Sequence, residues 1–410
     1  MPELFTVHSA ADSLRKLFSH LPSDAVVEAV PLAEALDRVI AESPVAPGAL
    51  PAFPRSAMDG YAVRAADTFG ASESLPAYLA VVGECPMGRA PSFEIGKAQA
   101  AVIHTGGMLP YGADGVVMLE RTQKARENEI EVLRAIAAGE NVVQVGEDVK
   151  AGETLLPAGH RLRPQDLGGL AAAGITRVRA ARRPRVSILA TGDELVPADQ
   201  APAPGQVRDV NTYTVAGVIR RAGGIPIPRG IVPDDDAALY GAARAALGED
   251  DALVLSAGSS VSVRDVTSQV IDRLGRPGVL VHGVSIKPGK PTILAVCDGK
   301  PVFGLPGNPV SAMVVADLFI TPVLWRMQGL AQPAIHRSLR ARLARNVAST
   351  PGREDYVQVK LVERGGELWA EPIFGKSNLI FTLVKADGLI IVPLDANGVQ
   401  EGEMVEVRVF

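Results

Sequence analysis

Apolar positions near the start of the chain recur at helical spacing. Leu14, Leu17 and Phe18, with Ser9 placed as a cap, predict a helix over residues 6–20. Leu32, Leu36, Val39 and Ile40 make a second apolar stripe behind Pro31, which predicts another helix over 31–42. The pattern then changes. Four prolines fall between residues 44 and 54 and break any helix. Short β-type runs follow at Tyr78–Val82, Ala100–His104, Gly115–Leu119 and Ile130–Leu133, separated by Gly-, Pro- and acid-rich turns. A β-rich module over 47–146 is therefore expected as an insertion. Residues 147–176 return to a Gly-rich, partly helical pattern and are expected to pack back on residues 20–46 as one discontinuous domain.

A third texture occupies 177–327. Val186–Ala190 is a continuous apolar run, as is Ala252–Leu255, and both suit strands buried on two faces. Further strands are expected at Ile225–Val232, Pro291–Val296 and Pro301–Leu305. Helices are expected at Asn211–Ala222, from VPDDD through Leu247, at Val266–Leu274 and at Asn308–Trp325, with Asn308 as N-cap and Pro309 in the first turn. Alternating strands and helices predict a mostly parallel sheet covered on both faces. In such sheets ligands sit beyond the carboxyl ends of the strands, where TGDE, VPDD, SAGSS and LPGN all fall. Residues 328–410 alternate again, for example at 356–361 and 404–409, and predict a small β-barrel or sandwich.

Composition narrows the class. The chain has 410 residues, 47% apolar and 4% aromatic, with 41 glycines and 31 prolines. That suits several α/β and β domains with many tight turns. A net charge of −5 and the lack of a basic block speak against nucleic acid. The basic run Arg177–Arg183 reads as a solvated inter-domain segment. Two distant cysteines, Cys85 and Cys297, make no disulfide framework, and the six histidines show no zinc spacing. With no signal-peptide pattern, and with Pro309–Trp325 interrupted by Asp317, the expectation is a cytoplasmic protein without a membrane span.

Several runs carry candidate chemistry. Asp193 and Glu194, then Asp234, Asp235 and Asp236, then Asp265 follow strand ends, and carboxylates there can hold Mg²⁺ against substrate phosphates. Singly, each is as readily a helix-capping acid. Ser256, Gly258 and Ser260 lie in a small-residue loop whose N–H groups and hydroxyls can cradle an oxyanion. Lys287 and Lys290, on a segment held by two prolines, can act as point charges for phosphate or another oxyanion, or sit on a solvated turn. Pro306, Asn308 and Pro309 open a helix whose free N–H groups attract anions. In the inserted module, Arg55 and Asp59 share one polar loop and Thr105 lies in another; His104 alone reads as a packing residue. GxSxG, GxxxxGK[ST] and a post-strand GxGxxG are missing from the sequence.

Eight ordered runs resemble the molybdopterin molybdenumtransferase family, which includes the E domain of gephyrin. They are RSAMDGYAV (55–63), HTGGMLPYGADGVV (104–117), GEDVKAGE (146–153), ATGDEL (190–195), VPDD (232–235), SAGSSVSVRD (256–265), KPGKP (287–291) and FGLPGNPVSA (303–312). The resemblance spans essentially the whole chain. It implies a multidomain α/β plus β fold: a three-layer α/β molybdopterin-binding domain at 177–327, an inserted β-rich domain, a small discontinuous α/β domain and a C-terminal β-barrel at 328–410. It further implies a homodimer with the active cleft between protomers, adenylylated molybdopterin and molybdate as substrates, Mg²⁺ as cofactor, AMP as product, and a molybdopterin adenylyltransferase as the partner that supplies substrate.

Residue by residue, the family's functional positions fall on Asp59, Thr105, Asp148, Glu194, Asp234, Asp265 and Lys287. Pro306 and Pro309 match the molybdate loop, and Ser377 matches a serine of the last domain. The metal role is open between Asp234 and Asp235, beside Glu194. Ala257 and Ser262 stand where glycine is usual, and Gly283 stands where some members carry a second lysine. Two other readings compete: an adenylyltransferase, whose fold is similar to residues 184–325 alone, and a non-catalytic scaffold that keeps the fold.

Overall fold

The structure, a computed structural model, describes residues 8–256, 261–331 and 338–410, with the side chains of 261–265 outside the description. Helix α1, Ala10–Phe18, is capped by the Ser9 hydroxyl, which accepts from Asp12 N–H. The expected helix over 31–42 does not form. Instead strand β1, Val27–Pro31, runs into one 3-10 turn at Leu32–Glu34. Two local features override the helical spacing. Asp37 turns the chain with φ +62°, and Arg38 points inward to Glu28 and the Ala181 carbonyl. Val39 and Ile40 then bridge to Arg161 and Ala180.

The inserted module is one six-stranded sheet. Its strands are β2, Gly60–Val63; β3, Ala77–Glu84; β4, Gln99–Ile103; β5, Gly115–Met118; β6, Thr122–Arg126; and β7, Glu129–Val132, in the order β5-β2-β4-β3-β7-β6. The chain leaves this sheet through helix α2, Pro164–Ala172, and strand β8, Arg177–Ala181, which pairs antiparallel with β1. Here the basic run is not a loop. Val178 and Ala180 point into a small core with Val30, Ile40, Leu162 and Leu170, while Arg177 and Arg179 face out.

Next comes the central sheet. Strands β9 (Arg185–Thr191), β10 (Ile225–Val232), β11 (Ala252–Ser256) and the later β14 (Lys300–Leu305) are parallel, in the order β10-β9-β11-β14. Strands β12, Pro277–His282, and β13, Ile293–Cys297, extend it antiparallel beyond β14. The Pro277–His282 strand was not expected from the sequence. Alternate residues feed two cores. Val186, Ile188, Val254 and Phe303 meet α1, helix α3 (Asn211–Arg221) and helix α6 (Pro309–Met327). Leu189, Leu253 and Leu255 meet helices α4 (Asp236–Glu249) and α5 (Val261–Arg273). This is a three-layer α/β/α arrangement.

Asp317 does not interrupt α6. It sits in a single π-helical turn, Ala316–Ile320, and pairs with Arg221 at 3.2 Å, so the helix continues to Met327. That helix is long and apolar enough to cross a membrane by composition, yet most of it is packed inside the molecule. The last five strands are β15 (Ser338–Leu343), β16 (Glu354–Arg364), β17 (Glu367–Pro372), β18 (Gly388–Val392) and β19 (Met404–Val409). They close into a barrel in the order β16-β17-β15-β19-β18-β16. Ile286–Lys287 adds to the barrel edge by pairing with Glu354 and Asp355.

Candidate active site

Four parallel strands end on one rim. In register, Thr191 lies opposite Val232, Ala190 opposite Ser256, and Ser256 opposite Leu305. The loops after these strands therefore share one edge, as the sequence pattern anticipates. Gly192, at φ +156°, lets the first loop fold tightly; a Cβ there would fall 2.8 Å from the Glu194 carboxylate. Asp193 accepts from the Asp234 N–H at 3.2 Å, and Asp234 accepts from the Thr191 hydroxyl at 2.7 Å. The three acids differ in what they do. Asp235 caps α4 by accepting from Ala238 N–H at 2.8 Å, and Asp236 pairs with Arg273 at 2.6 Å. Asp234 is the one turned to the rim.

Asn211 joins the other two loops. Its amide donates to the Ser256 hydroxyl at 2.8 Å and to the Gly307 carbonyl at 2.9 Å, and the residue is only 6% exposed. Its Oδ1 is buried without a partner. Asn308 stands at the N-cap position of α6 but makes no side-chain cap; it donates to Ser377 Oγ at 3.0 Å, tying the helix start to the barrel. Ser377 in turn accepts, through its carbonyl, from Val310 N–H at 3.1 Å.

That tie borders an open cavity of about 580 Å³ between the α/β domain and the barrel. Lys287, Lys290, Arg353 and Lys376 line it together with Pro306, Asn308 and Ser377. Asp355, 4% exposed at its side chain, is the acid of this wall. It pairs with Arg353 at 2.8 Å and with Lys287 at 3.7 Å. Four cations around one carboxylate leave a positive surplus, which suits an oxyanion.

In the inserted module, the two polar loops are stitched together by Ser56 N–H to Gly107 O at 2.9 Å and Gly106 N–H to Ser56 O at 2.8 Å. Asp59 Oδ1 accepts from both the Thr105 N–H (2.7 Å) and the Thr105 hydroxyl (3.1 Å). These donors hold the Asp59 carboxyl below the usual carboxylate range, the backbone N–H contributing most. Gly60 follows because nothing larger fits: a Cβ would lie 2.0 Å from the Val117 carbonyl of β5. Arg55 is exposed on a short strand paired with Val142 and Val143. Asp148 is exposed beside the Leu50–Val149 bridge.

Three successive stretches of this chain match known families. Residues 6–174 match "MoeA N-terminal region (domain I and II)", 187–326 match "Probable molybdopterin binding domain", and 340–410 match "MoeA C-terminal region (domain IV)". A molybdopterin molybdenumtransferase of a Nostoc species is 34% identical over 407 residues, covering 98% of this chain and 93% of its own. The chain belongs to the MoeA family of molybdopterin molybdenumtransferases. A putative molybdopterin biosynthesis protein of Methanocaldococcus jannaschii is 37% identical, covering 96% of this chain and 94% of its own. The crystal structure of a MoeA protein from Pyrococcus horikoshii OT3 matches with a TM-score of 0.86 at 32% identity, covering 99% of this chain and all of that one.

Within this MoeA fold, the candidate residues fall into three groups. Glu194, Asp234 and Ser256 share the rim; Lys287, Lys290, Pro306, Asn308 and Ser377 share the cavity; Asp59 and Thr105 share the module loop. Gly258 and Ser260 lie outside the described residues, as does the Asp265 side chain. Among the described residues, no hydrogen bond or ion pair joins Asp59, Thr105 or Asp148 to the rim. Sequence reading missed Thr191, Asn211, Arg353, Asp355 and Lys376. The first two are short polar residues at the ends of apolar elements. The last three lie in β-texture with no motif around them. Gly283 takes φ +100°, a backbone that favours glycine.

Proposed function

We propose that this chain transfers molybdenum from molybdate to adenylylated molybdopterin, releasing AMP, on the rim and cavity described above. The carrying observation is the joining of the two: Asn211 and Asn308 link the acid-bearing rim to a cavity with four cations. The cations Lys287, Lys290, Arg353 and Lys376 would bind molybdate or the phosphates, with Pro306 and Pro309 shaping the loop. Ser256 would help to cradle the pterin phosphate, and Gly258, Ser260 and Asp265 follow it in the same run of the sequence.

Magnesium takes oxygen ligands, commonly one or two carboxylates with phosphates and waters completing its shell. Glu194 and Asp234 fit such a role. Asp235, engaged as a cap, fits less well. Among the described residues no group of three or more His, Cys, Asp and Glu converges to hold a metal alone. The ion would supply charge neutralisation and Lewis acidity at the adenylate.

Asp59, Thr105, Asp148 and Arg55 would act from a second copy, in a homodimer whose cleft lies between protomers. The partners of Asp59 within one chain, Thr105 and His104, both belong to its own module, which supports that arrangement. A molybdopterin adenylyltransferase would supply the substrate. The two cysteines, both buried and free, suit the reducing cytoplasm.

The test is incubation with adenylylated molybdopterin, molybdate and Mg²⁺, following AMP. Release of AMP with active cofactor is expected. No AMP, together with synthesis of the adenylate from ATP and molybdopterin, would overturn the assignment in favour of an adenylyltransferase.

A further inference from the structure

Asn211 opens α3, and three loops of the rim meet on it. Leu195 and Val196, just after Glu194, pair in parallel with Val207 and Arg208. Val207 N–H donates to the Glu194 carbonyl at 2.8 Å, and Asp209 N–H donates to the Val196 carbonyl at 2.9 Å. Asp209 in turn accepts from Thr212 N–H at 3.1 Å, which holds the first turn of α3. Further along, Val215, Val218 and Ile219 anchor the helix in the core. The Asn211 backbone is thereby fixed, and its side chain reaches across to Ser256 and Gly307, just past the apolar runs of β11 and β14. The Gly307 carbonyl can only accept, so Nδ2 must face it and the amide cannot be flipped. Oδ1 is then turned away, buried and without a partner. A buried acceptor with no donor is unfavourable, and leucine has the same branching without that penalty. Packing alone does not call for an amide here; the two donated bonds do.

We propose that Asn211 is a positioning residue for the transfer: by gripping Ser256 and Gly307 at once, it sets the distance between the loop that takes the pterin phosphate and the loop that opens the oxyanion cavity. This rests on the reading of those two loops as one active site. The cations that would hold molybdate, Lys287, Lys290, Arg353 and Lys376, lie on other segments and keep their places without Asn211. The backbone pairing beside Glu194 also survives its loss. Each substrate therefore binds with its own affinity whether or not the strut is present. Reaction is more demanding, because a misplacement of about 1 Å between reacting groups costs on the order of 100-fold. An interaction that matters only in the transition state lowers kcat and leaves KM alone. Removing the strut should therefore lower kcat by about 10- to 100-fold, with both KM values as in the wild type.

The experiment compares the full-length wild type, Asn211→Ala and Asn211→Asp. The aspartate keeps the size of the side chain and still accepts from the Ser256 hydroxyl, but it has no donor for Gly307. Adenylylated molybdopterin bound per protomer is counted first, without molybdate, from pterin absorbance after gel filtration. AMP release then gives KM for each substrate, and kcat is expressed per substrate-bearing protomer. That normalisation separates positioning from mere loss of folded enzyme, which removes binding sites but leaves the normalised kcat unchanged. Both variants are expected to bind substrate in wild-type amount, with unchanged KM values and a lowered normalised kcat. A wild-type normalised kcat in both would overturn the proposal alone, as would a raised KM with kcat kept. Loss of a cooperative thermal transition in both variants would mark Asn211 as a folding residue and overturn it too. A wild type that binds adenylylated molybdopterin yet releases no AMP with molybdate and Mg²⁺ would remove the underlying reading, and the proposal with it.

Discussion

Thr191 donates its hydroxyl to Asp234 at 2.7 Å, across the neighbouring ends of β9 and β10. The bond fixes one carboxylate oxygen and leaves the other facing the rim. Thr191 is buried, and the other acceptor within its reach is the Pro233 carbonyl at a longer 3.4 Å. Replacing it by valine keeps the shape and β-branching but removes the donor. A hydrogen bond to a charged group contributes about 1.5–3 kcal/mol, so Thr191→Val should lower kcat/KM for AMP release about 10- to 100-fold. Far-ultraviolet circular dichroism should be unchanged. Turnover at the wild-type rate would show that Asp234 needs no such fixing.

The cavity depends on a different bond. Asn308 Nδ2 to Ser377 Oγ at 3.0 Å, with Val310 N–H to the Ser377 carbonyl, holds the start of α6 against the barrel. Asn308→Ala removes the first and keeps the second. A neutral hydrogen bond contributes about 1 kcal/mol, which predicts an increase of about 5-fold in KM for molybdate. Titrating molybdate at saturating adenylate checks it; an unchanged KM would place molybdate away from this wall.

How much of this was visible in the sequence depends on where each feature gets its order. Strands β9 and β11 were legible because burial on both faces demands continuous apolar runs, and the barrel because its strands alternate. The acids were legible because a parallel sheet forces their loops to one edge. The failure at 31–42 has the same root. Leu32, Leu36, Val39 and Ile40 have helical spacing, but what decides the backbone is the inward turn of Arg38 to Glu28 and Ala181, the latter more than 140 residues away. Arg353 and Lys376 were invisible for a related reason. Their cavity exists only where the barrel meets the KPGKP and LPGNP loops, and no local pattern in 338–410 encodes that meeting.

Asp59 offers a titration that separates its two donors. Its carboxyl is lowered first by the Thr105 N–H and then by the Thr105 hydroxyl. A lowered carboxyl contributes stability above the unfolded carboxylate range and loses it as pH falls through the folded value. Carbon-detected NMR should find Asp59 ionised below the ordinary range near pH ~3.9. Thr105→Val should move the midpoint upward but not fully, since the backbone donor stays. An Asp59 midpoint that does not move would mean the hydroxyl bond is not formed in solution.

The two thiols make a last test of packing, independent of the active site. Cys85 and Cys297 are each 1% exposed, and burial is the first cause that pushes them up, to about 11 and about 12. At neutral pH, a thiol at about 11 is ionised in roughly one molecule in ten thousand, and only the thiolate attacks a disulfide reagent. Both should therefore resist such a reagent in the native protein, and two equivalents should react on unfolding in guanidinium. The sign in alkali follows. Unfolded thiols ionise near pH ~8.5 while the folded ones stay neutral, so stability is full below that pH and declines as pH rises toward the folded values. One fast-reacting thiol in the native state at neutral pH would contradict the enclosure of Cys85, just after β3, or of Cys297 in β13, and mass spectrometry of the labelled peptide would say which.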